Sequence, residues 1–261
     1  MKLTKNVEVI QGSPNTLIYD NRVVIDLGGK NANLDIKAEV QLATHGHSDH
    51  IAGLFKNAKV KYLPKEDYWG LTLMGRRAMI YGFSSKDNPY FTFDYIKEDL
   101  KEEFSDAEIQ KVKLPGHTPG HTAYIVDNVL YAGDAFFGQK VLENFGLPFY
   151  TDFWSALDSL YQLKELIKSV DYVVISHGPI YTNKKKMEEL LEFNISFNER
   201  LVQKVKEMIT GNEMTAEEIT YRLSGNKEVA NILLNSVTVK SILFGIAKNV
   251  RVTEQGIKFS L

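Results

Sequence analysis

The chain has 261 residues, enough to bury a full core as one large domain or as a domain with an appendage. Its 31 lysines and arginines nearly balance 33 aspartates and glutamates, and a net charge of −2 gives no electrostatic basis for a nucleic-acid or anionic-membrane partner. Cysteine is absent, which excludes disulfides, thiol nucleophiles and thiolate metal ligands, so a metal site has to be built from histidine and carboxylate.

The opening Met1-Lys2-Leu3-Thr4-Lys5-Asn6 lacks the apolar core of a signal peptide, and no run is read as approaching a membrane span, which places the protein in the cytoplasm. Val7-Glu8-Val9-Ile10, Thr16-Leu17-Ile18-Tyr19 and Val23-Val24-Ile25-Asp26 then read as three short strands, joined by turns at Gly12-Ser13-Pro14 and Asp20-Asn21-Arg22. Leu27-Gly28-Gly29 has two readings, a plain turn or a place where backbone approaches a functional loop.

The strand-like Val40-Gln41-Leu42-Ala43 delivers Thr44-His45-Gly46-His47-Ser48-Asp49-His50, and Ile51-Ala52-Gly53-Leu54 reads as the opening of a helix. Three imidazoles and a carboxylate within six residues favour a metal, because neutral imidazole is a preferred ligand and packed, uncoordinated histidines repel as they titrate. His45 and His47 alternate and would point the same way from an extended loop. Asp49 and His50, at a helix start, would face a second centre, so the spacing suggests two adjacent ions.

A short helix from Ala52 to Asn57 and a strand Val60-Lys61-Tyr62-Leu63 follow. Residues 66–103 are rich in aromatics yet broken by glycines and Pro89, and read either as a lid over the metal site or as a helical pair packed on the sheet. Ile109-Gln110-Lys111-Val112-Lys113-Leu114 alternates as a strand and leads into Pro115-Gly116-His117-Thr118-Pro119-Gly120-His121. Ala123-Tyr124-Ile125-Val126, Asp127-Asn128 and Val129-Leu130-Tyr131-Ala132 predict a hairpin ending at Gly133-Asp134. A second aromatic cluster, from Phe136 to Trp154, offers material for pocket walls. Leu157, Leu160, Leu163, Leu166 and Ile167 recur at helical spacing, with Asp152 or Ser155 as cap. The strand Tyr172-Val173-Val174-Ile175-Ser176 ends at His177-Gly178-Pro179, so all six histidines fall in these few segments.

From Lys184 onward the spacing of apolar residues predicts a long helix closed by Gly211, a second helix opened by a capping box at Thr215-Ala216-Glu217-Glu218, a third over 229–248 and a terminal hairpin. That order is the pattern of a winged-helix-like module. From Glu188 to the C-terminus six Lys and three Arg face ten Glu, a net −1, whereas a phosphate-tracking surface should be basic.

HxHxDH at His45 to His50, followed in order by PGHT at His117, GD at Asp134 and HGP at His177, resembles the signature of the metallo-β-lactamase superfamily over roughly the first two-thirds of the chain. The resemblance implies an α/β (α+β) fold. Residues 1–183 would form a four-layer αββα sandwich, and residues 184–261 a mainly helical, winged-helix-like module docked on it. It implies that His45, His47 and His117 bind one ion, that Asp49, His50 and His177 bind another, and that Asp134 bridges them. Zinc is the expected metal, with iron or manganese as alternatives. Asp49 and Asp134 are then the catalytic carboxylates of a hydrolase that uses a metal-bound hydroxide, and His121 is expected outside the ligand set.

The two aromatic clusters flanking His117 point to a small or medium apolar ester, thioester or lactone. Glyoxalase II-like members hold glutathione through basic and tyrosine residues that residues 136–149 do not match. Lactonase-like members carry a tyrosine where this chain has Phe136 and Phe137. A ribonuclease- or phosphodiesterase-like member, an iron-dependent sulfur dioxygenase and a non-catalytic metal-retaining binder stand as alternatives. A small-molecule partner is expected, and a homodimer is compatible with the sequence.

Overall fold

The computed structural model describes residues 1–72, 75 and 100–261. Most of the 66–103 segment, including Arg76 and Arg77, therefore lies outside the described residues.

Among the described residues ten strands build two sheets. The first runs β1 (Val7–Ile10), β2 (Thr16–Tyr19), β3 (Val23–Ile25), β4 (Val40–Leu42), β5 (Val60–Tyr62) and β6 (Leu100–Lys101) in spatial order, antiparallel up to β3 and parallel beyond it. The second contains β7 (Gln110–Lys113), β8 (Thr122–Val126), β9 (Val129–Tyr131) and β10 (Tyr172–Val174) in the order β10-β9-β8-β7, with only β9 and β10 parallel.

Alternation along the strands sets the layers. Tyr124, Val126, Val129, Tyr131 and Val174 point inward and meet Val7, Val9, Leu17 and Ile25 of the first sheet. Ala123, Leu130 and Val173 point outward, onto Leu160 and Leu163 of α3 (Phe153–Leu166) and Met187, Leu190 and Leu191 of α4 (Lys184–Ile209). The outer face of the first sheet is covered by Ile51, Leu54 and Leu71, from α1 (Ser48–Ile51) and two 3-10 turns, Ala52–Phe55 and Lys65–Leu71. Helix, sheet, sheet, helix is the expected αββα sandwich.

Local chemistry accounts for several boundaries. The β8–β9 hairpin turns on Asp127 and Asn128, both at positive φ, as the expected two-residue turn requires. Asp152 caps α3 by accepting from the backbone N–H groups of Trp154 and Ser155. α5 (Ala216–Leu223) opens on the capping box of Thr215 and Glu218.

The third sheet, β11 (Met214–Thr215), β12 (Asn249–Thr253) and β13 (Gly256–Ser260), takes the order β11-β13-β12 beside α5 and α6 (Val229–Ile246), the arrangement expected of a winged-helix-like appendage. Its core is shared with the sandwich: Phe137, Tyr150 and Phe153 pack with Leu201, Val205, Val239 and Ile242.

One element lies beyond what the sequence pattern indicates, and one sequence expectation needs correction. The aromatic stretch after Asp134 contains a helix, α2 (Gln139–Phe145), set between Gly138 and Gly146, the latter at φ 72°. Its single buried residue is Leu142, so the apolar periodicity is too weak to read. Against the expectation that no run approaches a membrane span, Val229–Ile246 is long and apolar enough by length and composition to cross one. Asn231, Asn235 and Lys240 interrupt the run without lowering its average enough. In the fold this helix presents Val239, Ile242 and Leu243 to the C-terminal core, and Thr238 donates to the Pro148 carbonyl.

Candidate metal centre

The sequence-derived site residues leave the C-terminal ends of their strands on one edge of the sandwich. β4 delivers residues 44–50, β7 residues 114–121, β9 residues 132–134 and β10 residues 175–178. The loops are tied together by backbone bonds, Thr122 N–H to Thr44 O at 2.9 Å and Ser176 N–H to Gly133 O at 3.0 Å. All seven candidate residues converge. Ligand atoms lie within 4.8 Å of one another in three groups: His45, His47 and His117; His45, His50 and Asp134; and Asp49, His50 and His177.

Hydrogen bonds on the far side of each ring decide which nitrogen faces inward. His117 Nδ1–H donates to the Phe149 carbonyl at 2.8 Å, leaving Nε2 unprotonated. Thr44 Oγ1 donates to Asp26 Oδ2 at 2.7 Å and therefore accepts from His45 Nδ1 at 2.9 Å, which frees His45 Nε2. His50 Nδ1 donates to the same Asp26 oxygen at 2.8 Å, and His177 Nδ1 pairs with Ser13 Oγ at 2.8 Å.

The inward atoms are crowded. His47 Nδ1 lies 2.9 Å from His45 Nε2 and 3.1 Å from His117 Nε2, and His50 Nε2 lies 3.3 Å from His177 Nε2. One proton on His47 can bridge only one of its two contacts. A tetrahedral ion with nitrogen ligands at 2.0–2.1 Å sets ligand atoms about 3.3 Å apart, so the spacing suits a cation between them. Asp134 agrees with this. Its Oδ1 is buried without a hydrogen-bond partner among the described residues, and its Oδ2 lies 3.4 Å from both His117 Nε2 and His177 Nε2.

Charge follows from burial and from the carboxylates. Burial pushes His47 down to about 3, helped by His117 alongside it, and depresses His45 and His117 as well. Burial also opposes charge on His50 and His177, yet Asp26, Asp49 and Asp134 hold His50 at about 9, and Asp134 and Asp49 hold His177 at about 11. Asp134, which burial would raise, is kept well below the usual carboxylate range by His177 and His50.

His121 falls in none of the three groups. Its Nε2 accepts the Asp134 backbone N–H at 3.0 Å. That contact needs Gly133 at φ 61°, where an added Cβ would come within 2.6 Å of the His121 ring.

Residues 42–160 match the family model described as the metallo-beta-lactamase superfamily. This segment belongs to that superfamily. A hydroxyacylglutathione hydrolase of Prochlorococcus marinus (strain NATL1A) is 30% identical over 178 residues, covering 65% of this chain and 62% of the relative. One from Shewanella baltica (strain OS195) is 29% identical over 170 residues, covering 60% and 56%. The chain thus matches about three-fifths of the length of these curated relatives. A metallo-beta-lactamase family protein from Thermus thermophilus shares the fold across 99% of both chains, with a TM-score of 0.70 at 17% identity.

Sequence reasoning missed the residues that support the superfamily signature. Asp26, fully buried at φ 52°, joins His45 and His50 through Thr44 and its own carboxylate. Its only local signal is an acidic residue closing an apolar strand. Asp67 accepts from Gly46 N–H at 2.9 Å, Thr118 Oγ1 at 2.5 Å and Gly120 N–H at 2.7 Å, locking the HxHxDH loop to the PGHT loop. Asn15 donates to Ile175 O and Gly178 O and so holds the His177 loop. Gly28 answers one open reading: an added Cβ would fall 1.7 Å from the Asp49 carbonyl oxygen, so backbone approach to the functional loop is its role.

Proposed function

We propose that the chain is a metal-dependent hydrolase of small or medium, largely apolar esters, thioesters or lactones. His45, His47 and His117 would hold one ion and Asp49, His50 and His177 a second, with the Asp134 carboxylate available to both groups. The observation that carries this reading is that the histidine and carboxylate cluster opens into a cavity of about 680 Å³ walled by Phe137, Leu147, Pro148 and Phe149. Zinc suits the donor set of imidazole and carboxylate, with iron or manganese as the other candidates. When bound, such ions acidify water and polarise the acyl oxygen, which supplies a nucleophile at neutral pH without serine or cysteine.

The chain's own groups do the rest. Asp49, with its side chain 43% exposed, faces the cavity, orients the attacking water and accepts its proton. Asp134 stays ionised and fixes the spacing between the two histidine groups. Water adds to the acyl carbon, the carbon–oxygen or carbon–sulfur bond breaks, and the proton passes to the departing alkoxide or thiolate. The aromatic walls keep bulk water from the leaving group.

Similarity to hydroxyacylglutathione hydrolases supports thioester chemistry. Among the described residues no lysine or arginine lines the cavity, which favours an uncharged thioester over glutathione's carboxylates. The near-neutral charge likewise favours a small molecule over nucleic acid, and the lack of cysteine suits the cytoplasm. The test is a panel of thioesters, lactones, aryl esters, aryl phosphodiesters and short RNA with added zinc, manganese or iron. Faster turnover of RNA or phosphodiester than of any carboxylic ester, falling steeply with salt, would overturn the reading.

A further inference from the structure

The C-terminal helix α6 contributes Asn231, Leu234 and Asn235 to the same cavity that holds His47, His117 and His177. Asn231 and Asn235 are one helical turn apart and share a face. Asn235 is only 5% exposed, and its side-chain amide makes no hydrogen bond among the described residues. An amide that lines a cavity without a protein partner keeps its acceptor oxygen and both donors available to a ligand. The rest of the helix is well anchored. Tyr150 N–H donates to Thr238 Oγ1 at 2.8 Å, Phe153 N–H donates to Ser241 Oγ at 2.9 Å, and Val239 and Ile242 are fully buried.

We infer that Asn231 and Asn235 form a neutral subsite that recognises an uncharged group able both to donate and to accept, such as a secondary amide, on an acyl substrate. An asparagine amide offers one acceptor oxygen and two donors, the complement of a substrate N–H and C=O. A carboxylate or phosphate would want a cation there, and no lysine or arginine lines the cavity among the described residues. The surrounding Val141, Leu142, Phe145 and Leu234 require that the remainder of the substrate be apolar. This inference rests on the acyl-hydrolase reading of the same site and names its substrate class: esters, thioesters or lactones that carry a neutral amide.

The experiment uses three butanoyl thioesters whose leaving thiols are propanethiol, N-acetylcysteamine and 3-mercaptopropionate, that is, apolar, neutral amide and carboxylate. The matching non-hydrolysable thioethers are titrated calorimetrically into the zinc-loaded protein. The amide probe is expected to lead the apolar one by about tenfold, both in binding and, through KM, in kcat/KM. Asn235→Leu and Asn231→Leu should bring both ratios toward one, and Asn231→Lys should move the preference to the carboxylate probe. Asn231 is only half-buried, so its variants keep the comparison available if Asn235→Leu does not fold. No amide preference in the unaltered protein, or a preference that survives both leucine variants, would overturn the subsite while leaving hydrolysis intact. A binding preference that the variants abolish, without turnover of any thioester, lactone or aryl ester, would sustain the subsite and sink the hydrolase reading.

Discussion

Replacing Asp26 with asparagine tests whether the centre depends on the groups behind it. Asp26 Oδ1 accepts the Thr44 backbone N–H at 2.8 Å, and Oδ2 accepts Thr44 Oγ1 and His50 Nδ1. Asparagine tolerates the positive φ of this position as well as aspartate does, so backbone strain does not confuse the result. Its amide NH2 has to face either the Thr44 N–H, which cannot stop donating, or the His50 ring. His50 could accept only by moving its proton to Nε2, the atom that faces His177. One charge-assisted bond is lost and one buried donor is left unpaired, which costs roughly 2–4 kcal/mol of stability. Loss of a carboxylate behind a ligand histidine typically weakens metal binding by about 10–100-fold. Zinc content after dialysis and competition with a chromophoric chelator should show one ion weakened to that degree and the other less so, since His45 is reached only through Thr44. A folded Asp26→Asn protein that keeps both ions at unaltered affinity would refute the reasoning.

His47→Ala should lose or severely weaken one ion, whereas His121→Ala should keep both with affinity reduced by about tenfold, because the His121 ring holds the Asp134 backbone and belongs to none of the three ligand groups. Metal analysis of the two proteins side by side separates these outcomes, and equal retention in both would contradict the ligand assignment. Gly28→Ala should lower the melting temperature and the metal content together, at a cost of about 1–3 kcal/mol, because the new methyl group overlaps the Asp49 carbonyl. An unchanged melting curve would show that the loop is free to move.

The Arg22 guanidinium, hydrogen-bonded to Asp106 at 2.8 Å, holds that carboxyl below its ordinary range. A depressed carboxyl stabilises the fold above its unfolded pKa of about 3.9, and the contribution disappears as pH falls through the lower folded value. Partial exposure limits it to about 1 kcal/mol. The difference in melting temperature between the unaltered protein and Asp106→Asn should therefore close below about pH 4, and a pH-independent difference would count against the pair.

What the sequence determined by itself was local. Alternation in Thr122–Val126 and Val129–Tyr131 set two faces, Asp127 and Asn128 set the turn, Thr215 and Glu218 set a helix start, and the spacing of His45, His47, Asp49 and His50 marked the centre. Each signal works over a few residues, within reach of a backbone period or a single cap. The groups that aim those histidines were decided only by the tertiary structure. Ser13 meets His177 across 164 residues, Asp67 joins two loops 21 and 53 residues away, and Asn235 reaches the cavity from the last helix. No periodicity encodes such pairs. A buried polar atom takes whichever partner the packed sheets bring to it, and that depends on strand order and register rather than on neighbours in the chain.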